Sequence, residues 1–311
     1  MSSRVASSTA LAMSAIADLR DWQESSPPVR LGVVGDPIAH SLSPRMQNAA
    51  LEAAGLDFRY GAFQLTPDEL EEAFELFRRH NFIGLNITVP HKIAAVSLVD
   101  EVEERARKIG AINTVIFRDG RACGWNTDAP AFVAAIRDAF WVDLRDLRVM
   151  LLGAGGGAGR AIAWQCAWEN CERLVLVNRT REKAEALARE VAPFFAGPRV
   201  LGPEARLETI ALDENGLRSQ IARTDLVVNA TTLGLKLSDP LPLPRSLLEP
   251  HLMVYDLIAQ QRPTPLLEAA AEAGARGANG LSMLLHQGAL AFEIWFDRPA
   301  PRAAMRAALA V

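Results

Sequence analysis

Two hydrophobic rhythms take turns along this chain. Short apolar runs such as Leu31 to Val34, Phe58 to Leu65 and Val149 to Leu152 read as buried strands. Between them lie longer stretches with apolar residues at helical spacing, as in Arg181 to Val191 and Leu281 to Phe296. Punctuation fits this reading. Ser43-Pro44 opens a helix with serine as the expected cap, and that helix stops at Gly55. Thr66-Pro67-Asp68-Glu69 is a capping box that starts a helix running to about His80. Phe82 to Val89 reads as a strand, Ile93 to Lys108 as a helix, and Ala111 to Phe117 and Ala122 to Trp125 as a hairpin turning at Asp119-Gly120. A second unit begins near Leu147. It continues with strands at Leu174 to Val177, Asp225 to Asn229 and Met253 to Leu257, and a helix from Pro265 to Ala273. Strand-helix alternation of this kind implies an α/β fold of parallel sheets covered by helices. Phe194 to Gly216 has no readable period.

The bulk numbers set bounds. A chain of 311 residues is long enough for two cores. A net charge of −4 gives no basic surface for nucleic acid or an anionic membrane. Cys123, Cys166 and Cys171 fit neither a disulfide framework nor a zinc site, so reduced thiols in a cytoplasmic protein are expected. Residues 1–27 are rich in Ser and Ala; they read as an extension ending in a short helix before Pro27, because charges interrupt the apolar stretch too early for a signal peptide.

Gly153-x-Gly155-x-x-Ala158 stands between a strand and a helix, the context a dinucleotide fingerprint needs. The bland alternative is an ordinary glycine-rich turn. The next strand ends in Asn178-Arg179-Thr180, with Lys183 a turn further, where an NAD site normally carries a carboxylate. Cations are disfavoured at a helix N-terminus unless an anion joins them, so this segment reads as a site for the 2′-phosphate of NADP(H) rather than a solvated helix start.

Asn86-Ile87-Thr88-Val89-Pro90-His91-Lys92 carries the candidate chemistry. Asn86 and Thr88 share one strand face, Pro90 ends the strand, and Lys92 lies just past it. Ser41 and Ser43 sit at a strand-to-helix turn suited to a carboxylate, although Ser43 also reads as a plain cap. Asn113 and Asp128 complete the polar set, with Asp128 equally readable as a helix cap.

From about Arg30 onward the chain resembles the shikimate dehydrogenase family, through VVGDPIAHSLSP, GLNITVPHK, IGAINTV, GWNTD, LGAGGGAGRA, VNRT, VVNAT, TPLL and GLSMLLHQGA in the family's order. The resemblance implies reversible, NADP-dependent reduction of 3-dehydroshikimate to shikimate, on the route to chorismate and the aromatic amino acids. It implies Lys92 and Asp128 as the catalytic pair. Ser41 and Ser43 would hold the substrate carboxylate, and Asn86, Thr88, Asn113 and Gln287 would contact the substrate. Gly153, Ala154, Gly155, Gly156, Gly157, Asn178, Arg179, Thr180, Lys183, Leu257 and Gly280 would line the cofactor. It also implies a mostly parallel substrate domain (residues 28–127 with 282–311), a Rossmann domain (residues 128–281), a cleft between them, and a monomer or homodimer. The chain departs from the family at Gln47 (usually His, peripheral), Ala131 (usually Gly), Ala259 (usually Tyr), Gln261 (usually Pro) and an extra small residue in the glycine loop. Ala259 keeps a quinate-like polyol open as substrate; a dinucleotide-sensing protein without catalysis is the rival from another class.

Overall fold

The computed structural model describes residues 13–14, 26–197, 205–236 and 238–310. Two sheets form. The first has the order β1-β3-β2-β4-β6-β7-β5, with β1 Met13–Ser14, β2 Val29–Gly35, β3 Arg59–Gln64, β4 Gly84–Ile87, β5 Glu101–Val102, β6 Thr114–Arg118 and β7 Arg121–Trp125. Helices α1 (Ser43–Ala53), α2 (Leu70–Arg79) and α3 (Glu104–Ile109) belong to this part of the chain, and α4 (Asp128–Phe140) follows it. The second sheet has the order β10-β9-β8-β11-β12-β13, from β8 Arg148–Leu152, β9 Arg173–Asn178, β10 Leu207–Ala211, β11 Leu226–Asn229, β12 Met253–Asp256 and β13 Arg276–Asn279. Its helices are α5 (Gly157–Trp168), α6 (Arg181–Val191), α7 (Glu214–Ile221) and α8 (Pro265–Glu272). All its pairings are parallel, and counting from β8 the order is the 3-2-1-4-5-6 of a dinucleotide-binding fold. The order reverses between β8 and β11, so a crevice opens beyond their carboxyl ends.

Each sheet is buried on both faces. Phe74, Phe77 and Phe82 pack one face of the first sheet. On its other face, Leu31 and Met46 meet Leu285, Phe292, Met305 and Leu309, so the C-terminal helices α9 (Leu281–Phe296) and α10 (Arg302–Leu309) return to the first sheet. Trp295 seals that return: its Nε1 donates to the Val115 carbonyl at 2.9 Å.

The first sheet is mostly parallel, as expected, with β6 alone running antiparallel, to both β4 and β7. Other expectations are corrected here. Ile93 to Lys108 is not one helix. A 3-10 turn at Ala94–Leu98 gives way to β5, which pairs with β7, before α3 starts. The cause is competition from distant partners: Asp100 accepts the Ala122 N–H at 2.6 Å and an Arg78 N–H at 2.7 Å, which pulls the segment onto the sheet edge. Glu103 then restarts a helix by accepting the Ala106 N–H. Ser43 is the first helical residue and caps nothing; the cap position is Leu42. The unreadable stretch holds β10 and the start of α7, with residues 198–204 outside the described set. Met13–Ser14 pairs with Phe63 and Gln64 as a short strand, and the helix expected before Pro27 falls on residues outside that set.

Candidate active site

β2 and β4 are parallel neighbours, so the loops leaving their carboxyl ends emerge together. The Asp36 N–H donates to the Val89 carbonyl at 2.9 Å, and a Cβ built on Gly35 would strike Thr88 Cγ2 at 2.4 Å. This contact places the serine loop against the Thr88–Lys92 turn. His91, buried beside it, has Nε2 at 2.7 Å from the Leu65 carbonyl; a carbonyl only accepts, so that nitrogen carries the proton.

Lys92 points from this turn to Asp128, with Nζ 2.5 Å from Oδ2 and side chains 12 % and 6 % exposed. Asp128 is the first residue of α4, yet its carboxylate does not cap the helix. Its Oδ1 accepts the Asn113 amide at 2.9 Å instead. The same amide reaches Thr127 Oγ1 at 3.0 Å and Gln287 Oε1 at 3.4 Å, and Asn113 Oδ1 accepts the Thr127 N–H at 2.7 Å. Lys92, Asp128, Asn113 and Gln287 thus form one buried network, drawn from the loops after β4 and before β6 and from α4 and α9.

Asn86 joins it from below. Its Nδ2 donates to the Asn113 carbonyl at 3.2 Å and to Thr114 Oγ1 at 3.1 Å, while its Oδ1 accepts from Tyr60 Oη at 2.7 Å. The amide expected to touch substrate is therefore held in place by protein. Tyr60 is a member of this network that sequence reasoning misses; its only signal is a phenol in a half-apolar strand. Ser41 and Ser43 stand apart from the network. Ser41 Oγ accepts the Ser43 N–H at 3.3 Å, which leaves its own hydroxyl hydrogen free to donate outward. Gln47, expected to be peripheral to the chemistry, is fully buried and donates to the Gly288 carbonyl at 2.9 Å, holding α1 against α9 next to Gln287.

The glycine loop faces this network across the crevice. Gly153, at φ +86°, sits where a Cβ would lie 2.9 Å from the Ala230 carbonyl carbon and the Thr231 nitrogen, so the β8 and β11 loops meet at the switch point. Close packing of helix on strand falls to Gly159 rather than Ala158, one position later than expected. A Cβ on Gly159 would lie 2.2 Å from the Gly153 carbonyl oxygen. The extra small residue lengthens the loop by that one step. A Cβ on Gly156 would meet only the Gly153 oxygen at 3.6 Å, leaving open space for a group against the backbone. The first N–H groups of α5 have no helical partner and turn toward that space. Gly157 closes the crevice from the other side: a Cβ there would lie 2.7 Å from Lys92 Cβ.

Asn178 binds protein on both ends, its Oδ1 accepting the Gly155 N–H at 3.2 Å and its Nδ2 donating to the Thr180 carbonyl at 2.8 Å. It shapes the loop with an amide already committed. Arg181 is taken by Glu185 at 2.8 Å, whereas Arg179, Thr180 and Lys183 are exposed, with Arg179 and Lys183 in no ion pair among the described residues. At the far end, a Cβ on Gly280 would strike the Leu257 oxygen at 2.1 Å, so α9 begins in contact with the loop after β12. That loop hangs on Asp256. Burial raises its carboxyl pKa above the usual value, although Thr264, Ile258 and Asn229 all donate to it and pull the other way. No group of metal-binding side chains forms among the described residues.

Known proteins match most of this chain. Residues 33–115 fit the model of the shikimate dehydrogenase substrate binding domain, 135–235 that of shikimate / quinate 5-dehydrogenase, and 280–310 that of the shikimate 5'-dehydrogenase C-terminal domain. The NADP(+) shikimate dehydrogenase of Methanopyrus kandleri is 39 % identical over 281 residues, covering 90 % of this chain and 94 % of its own. This chain belongs to the shikimate dehydrogenase family. Among solved structures, the family's enzyme from Thermus thermophilus, in complex with NADP(H) and shikimate, is 36 % identical with a TM-score of 0.76, covering 91 % of this chain and 98 % of its own. Quinate dehydrogenase from Corynebacterium glutamicum, in complex with NAD, is 29 % identical with a TM-score of 0.75 over the same shares. The two-sheet architecture and the crevice are thus family features.

Proposed function

We propose that this chain reduces 3-dehydroshikimate reversibly to shikimate with NADPH, serving chorismate and aromatic amino acid biosynthesis in the cytoplasm. The observation that carries the reading is the buried Lys92–Asp128 pair facing Gly157 across the crevice. In this reading residues 28–127 with 282–311 hold the substrate, and residues 128–281 hold the cofactor.

The loop fits a dinucleotide. Gly156 leaves open space against the backbone, the N–H groups from Gly157 onward begin α5 without helical partners, and Arg179, Thr180 and Lys183 offer two cations and a hydroxyl for a 2′-phosphate. NADPH, when bound, supplies the hydride. The remaining work falls to the chain. Ser41 and Ser43 hydroxyls take the substrate carboxylate. Asn86, Thr88, Asn113 and Gln287 surround the ring hydroxyls. As negative charge builds on the ketone oxygen, Lys92 Nζ gives it a proton. One ammonium N–H is directed at Asp128 Oδ2, which leaves two for substrate oxygens. Asp128 is itself fixed by Asn113, so the ammonium is aimed before substrate arrives. Solvent then returns a proton to Lys92. In the oxidation direction the neutral amine takes the hydroxyl proton. General acid catalysis of this kind contributes about 10²- to 10⁴-fold.

One observation favours a second reading. Ala259, half-buried on the loop after β12, carries no hydrogen-bonding side chain beside the crevice, which leaves room for a bulkier quinate-like ring. Following absorbance at 340 nm with NADPH and NADH, each with 3-dehydroshikimate and 3-dehydroquinate, separates the two. Turnover of 3-dehydroshikimate with NADPH is expected to dominate. No turnover on either compound would overturn the enzyme reading, and a preference for NADH would overturn the role of Arg179.

A further inference from the structure

Arg160 lies three residues past Gly157 on α5, and its side chain leaves the sheet it belongs to. Its Nε donates to the Ile109 carbonyl at 2.5 Å, at the C-terminus of α3 beside the first sheet. Its two terminal nitrogens grip Glu190 on α6 at 3.2 and 2.6 Å. A helix C-terminal carbonyl lacks an intrahelical donor and attracts a cation, so the contact is chemically apt. A Cβ on Gly110, the next residue, would lie 3.1 Å from this guanidinium. A second contact joins the same helices, where the Arg105 guanidinium carbon stands 5.2 Å from the Trp168 ring centroid.

The residues just after Ile109 give the contact its meaning. The Ala111 carbonyl accepts from Asn126 at 2.9 Å, and the Ile112 N–H donates to the carbonyl of Lys92 at 2.9 Å. Asn113 then holds Asp128. The backbone that Arg160 anchors therefore fixes Lys92 from behind and Asp128 from the side. Arg160 itself stands on the first turn of the helix whose N-terminus forms the glycine cradle, its N–H bonded to the Gly156 carbonyl at 2.8 Å.

An exposed Arg–Glu pair alone contributes little. Here the side chains are 17 % and 38 % exposed, and Glu190 serves to orient a third bond that crosses between the sheets. We propose that Arg160, oriented by Glu190, is a positioning residue that couples occupancy of the glycine cradle to the order of the Gly110–Asn113 segment. The inference rests on the reading of Lys92 as proton donor. Coupling of this kind is reciprocal: a nucleotide that fixes α5 steadies the segment, and a steadied segment favours the nucleotide.

The test combines amide hydrogen exchange with kinetics in the full chain. In the parent, saturating NADPH should slow exchange of the Ile112 amide by about fivefold or more. Arg160→Met keeps the stem but loses all three bonds. It should bind NADPH within about threefold of the parent, by fluorescence titration, yet lose that protection, with kcat down about tenfold and substrate KM little changed. Arg160→Lys should recover part of kcat, because its ammonium can still donate to the Ile109 carbonyl. Glu190→Gln keeps Arg160 in place and should show a smaller loss of the same kind, which covers the case of an unfolded Arg160→Met. Ile112 protection equal in parent and variants would overturn the proposal. So would a kcat loss matched by equal loss of NADPH affinity, since Arg160 would then merely support the cradle. The exchange measurement needs no turnover, so it stands or falls apart from the proposed reaction.

Discussion

Replacing Tyr60 by Phe removes one oxygen from the floor of the site. Tyr60 Oη donates to Asn86 Oδ1 at 2.7 Å, and the two residues are 3 % and 5 % exposed, so no solvent stands ready to replace the bond. The ring keeps its packing, 6.0 Å from Trp295 between centroids. What changes is that Asn86 Oδ1 becomes a buried acceptor without a donor, a state that costs about 1–3 kcal/mol. Asn86 Nδ2 still holds the Asn113 carbonyl and Thr114, so the amide loses one of three restraints. We expect a stability loss in that range and a rise in substrate KM of about tenfold, equivalent to about 1.4 kcal/mol, with NADPH KM unchanged. Burial pushes the Tyr60 phenol well above its usual value of 10, so it stays a donor and the effect should be flat across ordinary assay pH. The assay is a double-mutant cycle with Asn86→Ala, read in both denaturation and substrate KM. Additive losses, or a Tyr60→Phe enzyme within about twofold of the parent in KM, would refute the argument that this bond aims Asn86.

The same geometry carries further expectations. Gly157→Ala puts a Cβ 2.7 Å from Lys92 Cβ, a stem atom that cannot swing aside, so α5 must back away and kcat should fall about 10- to 100-fold in steady-state assays. Arg179→Ala should raise NADPH KM about 10- to 100-fold and leave NADH KM unchanged, as loss of one charge-assisted bond of about 1.5–3 kcal/mol requires; equal changes for both would contradict the phosphate role. Asp225 has a carboxyl that burial pushes up but bonds from Arg148 pull below its usual value on balance. The stability it lends is present above the ordinary carboxylate pKa and lost as pH falls through the lowered one. The deficit in melting temperature of Asp225→Asn should therefore be full at pH 7 and shrink below about pH 4.

The parts of this molecule that are legible in the sequence are those fixed by local chemistry. Arg181–Val191 and Leu281–Phe296 run where their periodicity places them, and the hairpin turns at Asp119-Gly120. The parts that are not legible depend on partners far along the chain. Asp100 reads as one more helical polar residue until Ala122 and Arg78, each 22 positions away, claim its carboxylate. Asp128 looks like a cap until Lys92 and Asn113 take both oxygens. Tyr60 and Gln47 carry no motif, because their roles lie in one bond each to Asn86 and Gly288, and Arg160, although inside the glycine-loop motif, acts through bonds to Ile109 and Glu190 that the motif does not reveal. The shift from Ala158 to Gly159 depends on the loop's path, which one extra residue changes.

In the proposed reaction Lys92 Nζ delivers the proton. Lys92→Met keeps the aliphatic stem against Gly157 and removes only the ammonium. Rapid mixing of this variant with saturating NADPH and 3-dehydroshikimate, followed at 340 nm, tests the claim directly. The single-turnover rate should fall about 10²- to 10⁴-fold with NADPH affinity kept. A rate within a fewfold of the parent would contradict that role.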